Sequence, residues 1–132
     1  MKILIIGFGS IAKRHINNLI HNINCEIIVY SRRKNIRFLD HKKIMVLNSL
    51  EKCLLEKPDV ALITNETAFH IPMAIKMAKS GLDLFIEKPL SNSTNGIKAL
   101  QKIVKQKKLV TQMGCNLRFH KCIIKIHQLI NQ

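Results

Sequence analysis

The sequence predicts an α/β domain built on one doubly wound parallel sheet of about six strands. Six short apolar runs alternate with longer stretches, most of them amphipathic with a helical period. Nearly continuous apolar runs are typical of strands buried on both faces by helices. Right-handed crossovers between such strands favour the strand order 3-2-1-4-5-6. A chain of 132 residues, without internal repeat or linker, fits a single domain of this kind.

The strands are predicted from short runs that are mostly rich in Ile, Leu and Val. The first two runs, KILII and EIIVY, are almost purely apolar, whereas the third, IMVL, is a weaker signal. The fourth and fifth, DVALIT and LDLFIE, end on polar residues, and the sixth, LVTQMG, ends on a glycine. The predicted strands are 2–6, 26–30, 44–47, 59–64, 82–87 and 109–114.

The helices are predicted from apolar residues at helical spacing and from residues suited to helix ends. Asn48 or Ser49 can cap the second helix. Pro72 is tolerable in the first turn of the third helix, and Gly81 suits its C-terminal end. Gly96 weakens the start of the fourth helix, which carries a row of lysines. The predicted helices are 10–21, a short one from about 49, 67–80, 91–108 and 118–132.

The charge balance narrows the classes of partner. Lys and Arg total 22 against 8 Asp and Glu, a net charge of +14, and no acidic residue follows Glu87. Such a chain suggests an anionic partner, although a solvated lysine-rich surface explains the charge equally well. No apolar run approaches the roughly 18 residues of a membrane span. The glycine-broken N-terminus also lacks the features of a signal peptide.

The four cysteines are Cys25, Cys53, Cys115 and Cys122, and no two of them form a Cys-x-x-Cys pair. We therefore expect reduced, buried thiols rather than a disulfide framework, and no zinc or other metal site. This use of cysteine predicts a cytoplasmic protein.

The segment GFGSIAKRH at 7–15 directly follows the first strand and opens the first helix. Gly7, Gly9 and Ala12 fit the pattern Gly-x-Gly-x-x-Gly/Ala. In that pattern Gly7 permits a tight turn, Gly9 lets the backbone approach a pyrophosphate, and Ala12 lets the helix pack close to the strand. The N–H groups at the helix start then hold the diphosphate. The context predicts a dinucleotide site, and the alternative is a purely structural glycine turn.

The end of the second strand, in VYSRRKN at 29–35, bears on which dinucleotide is bound. An acidic residue normally stands there and accepts bonds from the adenosine ribose. This chain has Ser31 instead, followed by Arg32 and Arg33. A hydroxyl and guanidinium groups suit a 2′-phosphate, so the segment favours NADP, with NAD possible. The alternative is a solvated basic loop.

Polar residues also follow the fourth strand, in TNETAFH at 64–70. The ends of the first and fourth strands flank the crevice of this fold, so Thr64 and Asn65 are expected to line it. His70 would lie in the first turn of the next helix. A helix cap by Thr67 with a surface histidine explains the spacing equally well.

The fifth strand ends in Glu87-Lys88-Pro89 beside the same crevice. A lysine there can exchange a proton with a substrate hydroxyl during hydride transfer. Glu87 could orient the ammonium group, and Pro89 could fix the turn, with a cis bond as one option. The residues alone favour the alternative of an ordinary lysine before a loop.

The segment GCNLRFH at 114–120 follows the sixth strand. Asn116 and Arg118 could reach the cofactor or the substrate from this position. The alternative is a cap at the start of the last helix.

Together these segments resemble the N-terminal NAD(P)-binding Rossmann domain of the Gfo/Idh/MocA (glucose–fructose oxidoreductase / inositol dehydrogenase) family. Each motif alone is weak, but the ordered set is specific and spans the whole chain. The resemblance is carried by Gly7 to Ala12 with His15, Thr64-Asn65 with His70, Glu87-Lys88-Pro89, and Asn116 to His120.

The resemblance implies an NAD(P)-dependent oxidoreductase that acts on a carbinol carbon of a sugar, cyclitol or sugar nucleotide. It implies that Lys88 is the active-site lysine, often before a cis Lys88–Pro89 bond. The positions expected to contact the cofactor are Gly7, Phe8, Gly9, Ser10, Ile11, Ala12, Ser31, Arg32, Arg33, Thr64, Asn65, His70, Glu87, Lys88, Asn116 and Arg118.

Some features depart from the family pattern. Ala12 replaces the third glycine, which the pattern tolerates, and Ser31 replaces the acidic ribose contact. Glu66 stands where a proline is common, and nothing in the sequence explains it. Family members continue into a second domain that binds substrate, supplies a catalytic histidine and usually forms the oligomer interface.

The 132 residues do not include that second domain, so we expect a dinucleotide-binding domain with little or no turnover alone. One alternative is a stand-alone, non-enzymatic NADP-binding or redox-sensing module. Another is a basic nucleic-acid-binding protein, against which stands the lack of a recognisable nucleic-acid-binding motif.

Overall fold

A computed structural model describes residues 1–32 and 43–131, which contain one six-stranded sheet. The strand order is β3-β2-β1-β4-β5-β6 and every adjacent pair is parallel, so the predicted doubly wound topology is confirmed. The strands are β1 Lys2–Ile6, β2 Glu26–Tyr30, β3 Ile44–Leu47, β4 Val60–Ile63, β5 Asp83–Ile86 and β6 Thr111–Met113. The helices are α1 Ser10–Asn22, α2 Leu50–Leu55, α3 His70–Lys79, α4 Ile97–Lys107 and α5 Lys121–Ile130.

Two hydrophobic cores lie on opposite faces of the sheet, because alternate residues of a strand point to opposite sides. Leu4 and Ile6 of β1 belong to the core formed with α2, α3 and α4. Ile3 and Ile5 belong to the core formed with α1. Full burial of one such side chain stabilises the fold by roughly 1.5–3 kcal/mol. Burial on both faces explains why β1 is a continuous apolar run.

Helices cover the two faces of the sheet less completely than predicted. Within the described ranges, α1 is the helix that packs into the second core. Beside it the sheet keeps an apolar groove of about 470 Å³, which Leu19, Leu62 and Phe85 help to line. The last helix, α5, has the predicted amphipathic period but buries none of its side chains, because it contacts mainly the short turn before it.

Several helices begin later than predicted. The fourth begins at Ile97 rather than 91, since Gly96 adopts a φ of +81°, which is incompatible with the helix interior. Short 3₁₀ turns, Thr67–Phe69 and Asn116–Phe119, precede α3 and α5. Gly81 ends α3 as predicted, and its N–H donates to the carbonyl of Ala78.

The cysteine prediction is half right. All four thiols are free, but only Cys25 and Cys53 are buried. Cys115 and Cys122 are exposed, because the chain beyond β6 packs against little else. Burial raises the pKa of the Cys53 thiol to about 11.

Two further properties concern the described residues alone. No helix among them combines the length and the apolarity needed to cross a membrane. Nor do they gather three or more His, Cys, Asp or Glu side chains where a metal ion could be held.

Candidate functional site

A cavity opens at the carboxyl ends of β1 and β4, where the strand order reverses. Its volume is about 670 Å³. Loops at the ends of neighbouring parallel strands meet there, which makes this point the usual ligand site of doubly wound sheets. The predicted cofactor residues that line it are Gly7, Phe8, Gly9, Ser31, Arg32, Thr64 and Asn65.

Gly7 is needed because two backbone segments approach closely. Its φ is +98°, and a Cβ there would lie 2.9 Å from both Cα and N of Asn65. Gly9 has the opposite environment, since no atom lies within 4 Å of the place where its Cβ would be. Gly9 is the N-cap residue of α1, so open space faces the free N–H groups of that helix. Ala12 is fully buried beneath this turn, as the pattern requires.

Thr64 and Asn65 have different roles at the end of β4. The Thr64 hydroxyl donates to the carbonyl oxygen of Ile6 at 2.9 Å and so ties β4 to β1. The Oδ1 atom of Asn65 is buried without a hydrogen-bond partner among the described residues. A buried, unpaired oxygen costs about 1–3 kcal/mol, which a ligand donor would relieve.

The two residues that follow β2, Ser31 and Arg32, line the same cavity. Ser31 is buried, and its N–H donates to the carbonyl oxygen of Leu47 at 3.0 Å. Arg32 is exposed, and its Nε donates to the Tyr30 hydroxyl at 3.4 Å, which raises the pKa of the guanidinium. The predicted contact Arg33 lies outside the described residues.

The structure adds cavity residues that sequence reasoning missed. The missed positions are Ile6, Tyr30, Phe69, Pro72, Met73 and Lys76. Those on α3 recur at helical spacing, which was the available signal, but His70 was the one residue of this helix predicted to contact the cofactor. Lys76 adds a cation, which pairs with the exposed Glu51 at 3.6 Å between Nζ and Oε1. Glu66, whose charge near the crevice the sequence left unexplained, also lines the cavity and adds a carboxylate.

The strand end that carries Lys88 is built around a buried carboxylate. Oε1 of Glu87 lies 2.6 Å from Nε2 of His15, and Oε2 accepts the backbone N–H of Lys88 at 3.0 Å. In the described part of the chain no ion pair joins Glu87 to the Lys88 ammonium, contrary to the expected orienting role. Lys88 is exposed, and the Lys88–Pro89 bond is cis, as the resemblance implied.

His70 is buried rather than directed into the cavity. Its Nδ1 lies 2.9 Å from the carbonyl oxygen of Pro89, and its Nε2 lies 2.9 Å from that of Asn65. A neutral ring carries one N–H and can donate to only one carbonyl, whereas an imidazolium can donate to both. His70 therefore joins the loop after β5 to the loop after β4.

The remaining predicted contacts are not among the residues that line the cavity. Ser10 and Ile11 open α1, beside the cavity-lining Gly9. Asn116 and Arg118 are exposed on the turn after β6. The cavity and the Lys88 region are thus neighbours on one edge of the sheet, held together through His70.

The fold and the glycine turn at its switch point define a nucleotide-binding domain of the doubly wound class. The open space before α1 and the unpaired Asn65 oxygen fit a bound dinucleotide. The chain belongs to the Gfo/Idh/MocA family. That family's model, described as an oxidoreductase family with an NAD-binding Rossmann fold, matches residues 1–115.

The chain is similar to two curated proteins of Bacillus subtilis strain 168. It is 29% identical over 131 residues to the uncharacterized oxidoreductase YrbE, covering 96% of this chain and 38% of that protein. It is 38% identical over 68 residues to a scyllo-inositol 2-dehydrogenase (NAD(+)), covering 50% of this chain and 20% of the relative. The chain therefore spans well under half the length of these relatives.

Solved structures share the fold. A myo-inositol 2-dehydrogenase from Lactobacillus plantarum superposes with a TM-score of 0.87 at 21% identity, over 99% of this chain and 41% of that one. A UDP-N-acetylglucosamine 3-dehydrogenase from Acidithiobacillus ferrooxidans gives a TM-score of 0.81 at 22% identity, over 98% and 41%. At these identities the likeness concerns the fold alone.

Proposed function

We propose that this chain is the NADP-binding domain of an oxidoreductase that acts by hydride transfer on a carbinol carbon of a sugar, cyclitol or sugar nucleotide. The observation that carries the proposal is the cavity at the sheet's switch point, with open space before α1 and a buried, unpaired Asn65 oxygen beside it. Family membership supports NAD-type binding. The substrate class rests on what the named relatives act on.

Different residues would bind different parts of the cofactor. The N–H groups after Gly9, at the start of α1, would hold the diphosphate. Asn65 would accept a hydrogen bond from the cofactor. Ser31 and Arg32, with Lys76 of α3 on the same cavity, would hold a 2′-phosphate. The bound cofactor supplies the hydride chemistry.

Lys88 would exchange a proton with the substrate hydroxyl. Its ammonium is exposed on the strand next to β4, so it remains accessible to a substrate. Because the chain spans about 40% of the length of its solved relatives, we infer that these 132 residues turn over little or no substrate alone. The four free thiols support a cytoplasmic location.

Fluorescence titration with NADPH and NADH tests the cofactor assignment. Arg32→Ala is expected to weaken NADPH binding about tenfold or more while leaving NADH binding unchanged, because only NADPH carries the 2′-phosphate. Arg14→Ala, which removes an exposed cation from α1, is the matched control. Absence of saturable binding of either nucleotide at low salt would overturn the proposed function. Equal losses for both nucleotides would overturn the NADP preference.

The net charge of +14 favours nucleic-acid binding as a second candidate. That role predicts steep salt dependence and a gel shift at near-physiological salt. A non-enzymatic NADP-binding module is a third candidate, for which the exposed apolar side chains of α5 offer a partner surface. Salt-resistant NADPH binding without a gel shift would exclude the nucleic-acid reading.

A further inference from the structure

A buried carboxylate joins three separate elements directly behind Lys88. The Glu87 side chain contacts His15 of α1 and the backbone N–H of Lys88, and it faces the side of Gly114, after β6, where a Cβ would stand. Glu87 is only 8% exposed although it carries a charge-bearing group. Neither His15 nor Glu87 lines the dinucleotide cavity. The burial of Glu87 and the pairing of half-buried His15 with it therefore call for a role other than cofactor contact.

The hydrogen-bond chemistry of this cluster assigns a proton position. A carboxylate only accepts hydrogen bonds, and each of its two oxygens here receives one donor. The Lys88 N–H is a fixed donor of the backbone. With Glu87 ionised, Nε2 of His15, at 2.6 Å from the other oxygen, is the atom that donates in this pair. A glutamine in place of Glu87 would offer one accepting oxygen and one donating NH₂ group.

Gly114, the glycine after β6, leaves room for the Glu87 carboxylate because it has no Cβ. A Cβ at Gly114 would lie 3.1 Å from Oε1 and 3.2 Å from both Cδ and Oε2 of Glu87. Such contacts are too tight for the carboxylate to stay where it is. Gly114 N–H donates to the carbonyl oxygen of Ile86 at 2.8 Å, so its backbone is fixed to β5 and the carboxylate would have to shift.

We propose that His15 and Glu87 form a positioning pair that fixes the backbone at Lys88 and couples it to α1, the helix that opens at the dinucleotide site. This inference rests on the role proposed above for Lys88. Glu87 holds the Lys88 N–H, while His70 reaches the carbonyl oxygen of Pro89 from the other side. The lysine backbone is thus held between two helices, and the ammonium is left free for substrate.

The first test reads the His15 ring directly by long-range ¹H–¹⁵N spectra of the full chain at alkaline pH. Wild type is expected to carry a proton on Nε2 of His15. In Glu87→Gln the amide oxygen must turn to the Lys88 N–H, so its NH₂ group faces the ring. His15 is then expected to move its proton to Nδ1. A wild-type Nε2 without a proton, or an unchanged tautomer in the variant, overturns the pairing.

The second test reads the position of Lys88. Trinitrobenzenesulfonate labelling is mapped by mass spectrometry with and without NADPH, and bound nucleotide is expected to slow labelling of Lys88 in wild type. Gly114→Ala keeps every charge but displaces the Glu87 carboxylate. In this variant the factor by which NADPH slows Lys88 labelling is expected to fall about tenfold, while the NADPH affinity stays unchanged. His21→Gln, on the exposed side of the same helix as His15, is the matched control.

The two proposals fail in different ways. Absence of NADPH binding in wild type would overturn the proposed function, while the His15 spectra would still decide the pairing. Full protection of Lys88 in a folded Gly114→Ala variant would overturn the positioning role, with the cofactor assignment intact.

Discussion

Gly7→Ala and Gly9→Ala are expected to separate the folding role of the glycine-rich turn from its binding role. At Gly7 the new Cβ would lie 2.9 Å from Cα and N of Asn65, and the φ of +98° is unfavourable for alanine. The left-handed backbone costs about 1–2 kcal/mol, and the clash with fixed backbone adds about 1–3 kcal/mol. A gain of about 0.4–1 kcal/mol from the stiffer unfolded chain offsets part of this.

The net loss in the free energy of unfolding for Gly7→Ala is therefore about 1–4.5 kcal/mol. In a domain of this size, that corresponds to a fall in Tm of roughly 3–17 °C. Urea unfolding followed by circular dichroism measures the loss. Gly9→Ala, whose Cβ meets no atom within 4 Å, is expected to stay within about 1 kcal/mol of wild type.

Cofactor affinity should show the reverse order for the folded proteins. In Gly9→Ala the new methyl group occupies the space in front of α1, so NADPH affinity is expected to fall at least about tenfold. If Gly7→Ala unfolds at the same urea concentration as wild type, the close approach of the two strand ends is refuted. Wild-type NADPH affinity in Gly9→Ala would refute the placement of the diphosphate.

Two further predictions concern buried groups. Thr64→Val, which loses the bond to the Ile6 carbonyl, is expected to lower the free energy of unfolding by about 1 kcal/mol in urea titrations. Thr64→Ser keeps the hydroxyl and should retain most of the stability. Equal losses in both variants would contradict a stabilising role for this hydrogen bond. With a thiol reagent at pH 8, Cys115 and Cys122 should react at once and Cys53 only after unfolding. Burial raises the pKa of Cys53 from 9.0 to about 11. The neutral thiol should therefore contribute its full stabilisation below pH 9 and lose it as the pH rises to 11. Cys53→Ala should not show this pH-dependent fall in the free energy of unfolding.

The sheet could be predicted because its determinants are local and redundant. The four central strands, β1, β2, β4 and β5, are short apolar runs, and their burial on both faces leaves few alternatives to a parallel sheet. The glycine turn was likewise predictable, because Gly7 and Gly9 follow a strand and open a helix. Ser49 caps α2 as predicted, since its hydroxyl accepts the N–H of Lys52 at 3.3 Å.

Elements beyond β5 were less predictable, because tertiary contacts decide them. Cys122 lies on the apolar side of an amphipathic helix, yet the helix contacts mainly the short turn before it and buries none of its side chains. The spacing of apolar residues alone shows which of them share one face of a helix. It does not show whether another element is there to cover it.

The candidate site shows the same limit at the scale of single side chains. Sequence position predicts that polar residues at strand ends gather at one edge of the sheet, and Asn65, His70 and Glu87 do so. Whether such a side chain meets a ligand or the protein's own backbone depends on distant partners, such as His15, which is 72 residues from Glu87 along the chain. Asn65 keeps an unpaired oxygen, whereas His70 and Glu87 are fully engaged by loops and helices. A loss of activity on mutating any of the three would therefore not distinguish cofactor contact from positioning. The NADPH affinity of each variant, measured beside the labelling of Lys88, makes that distinction.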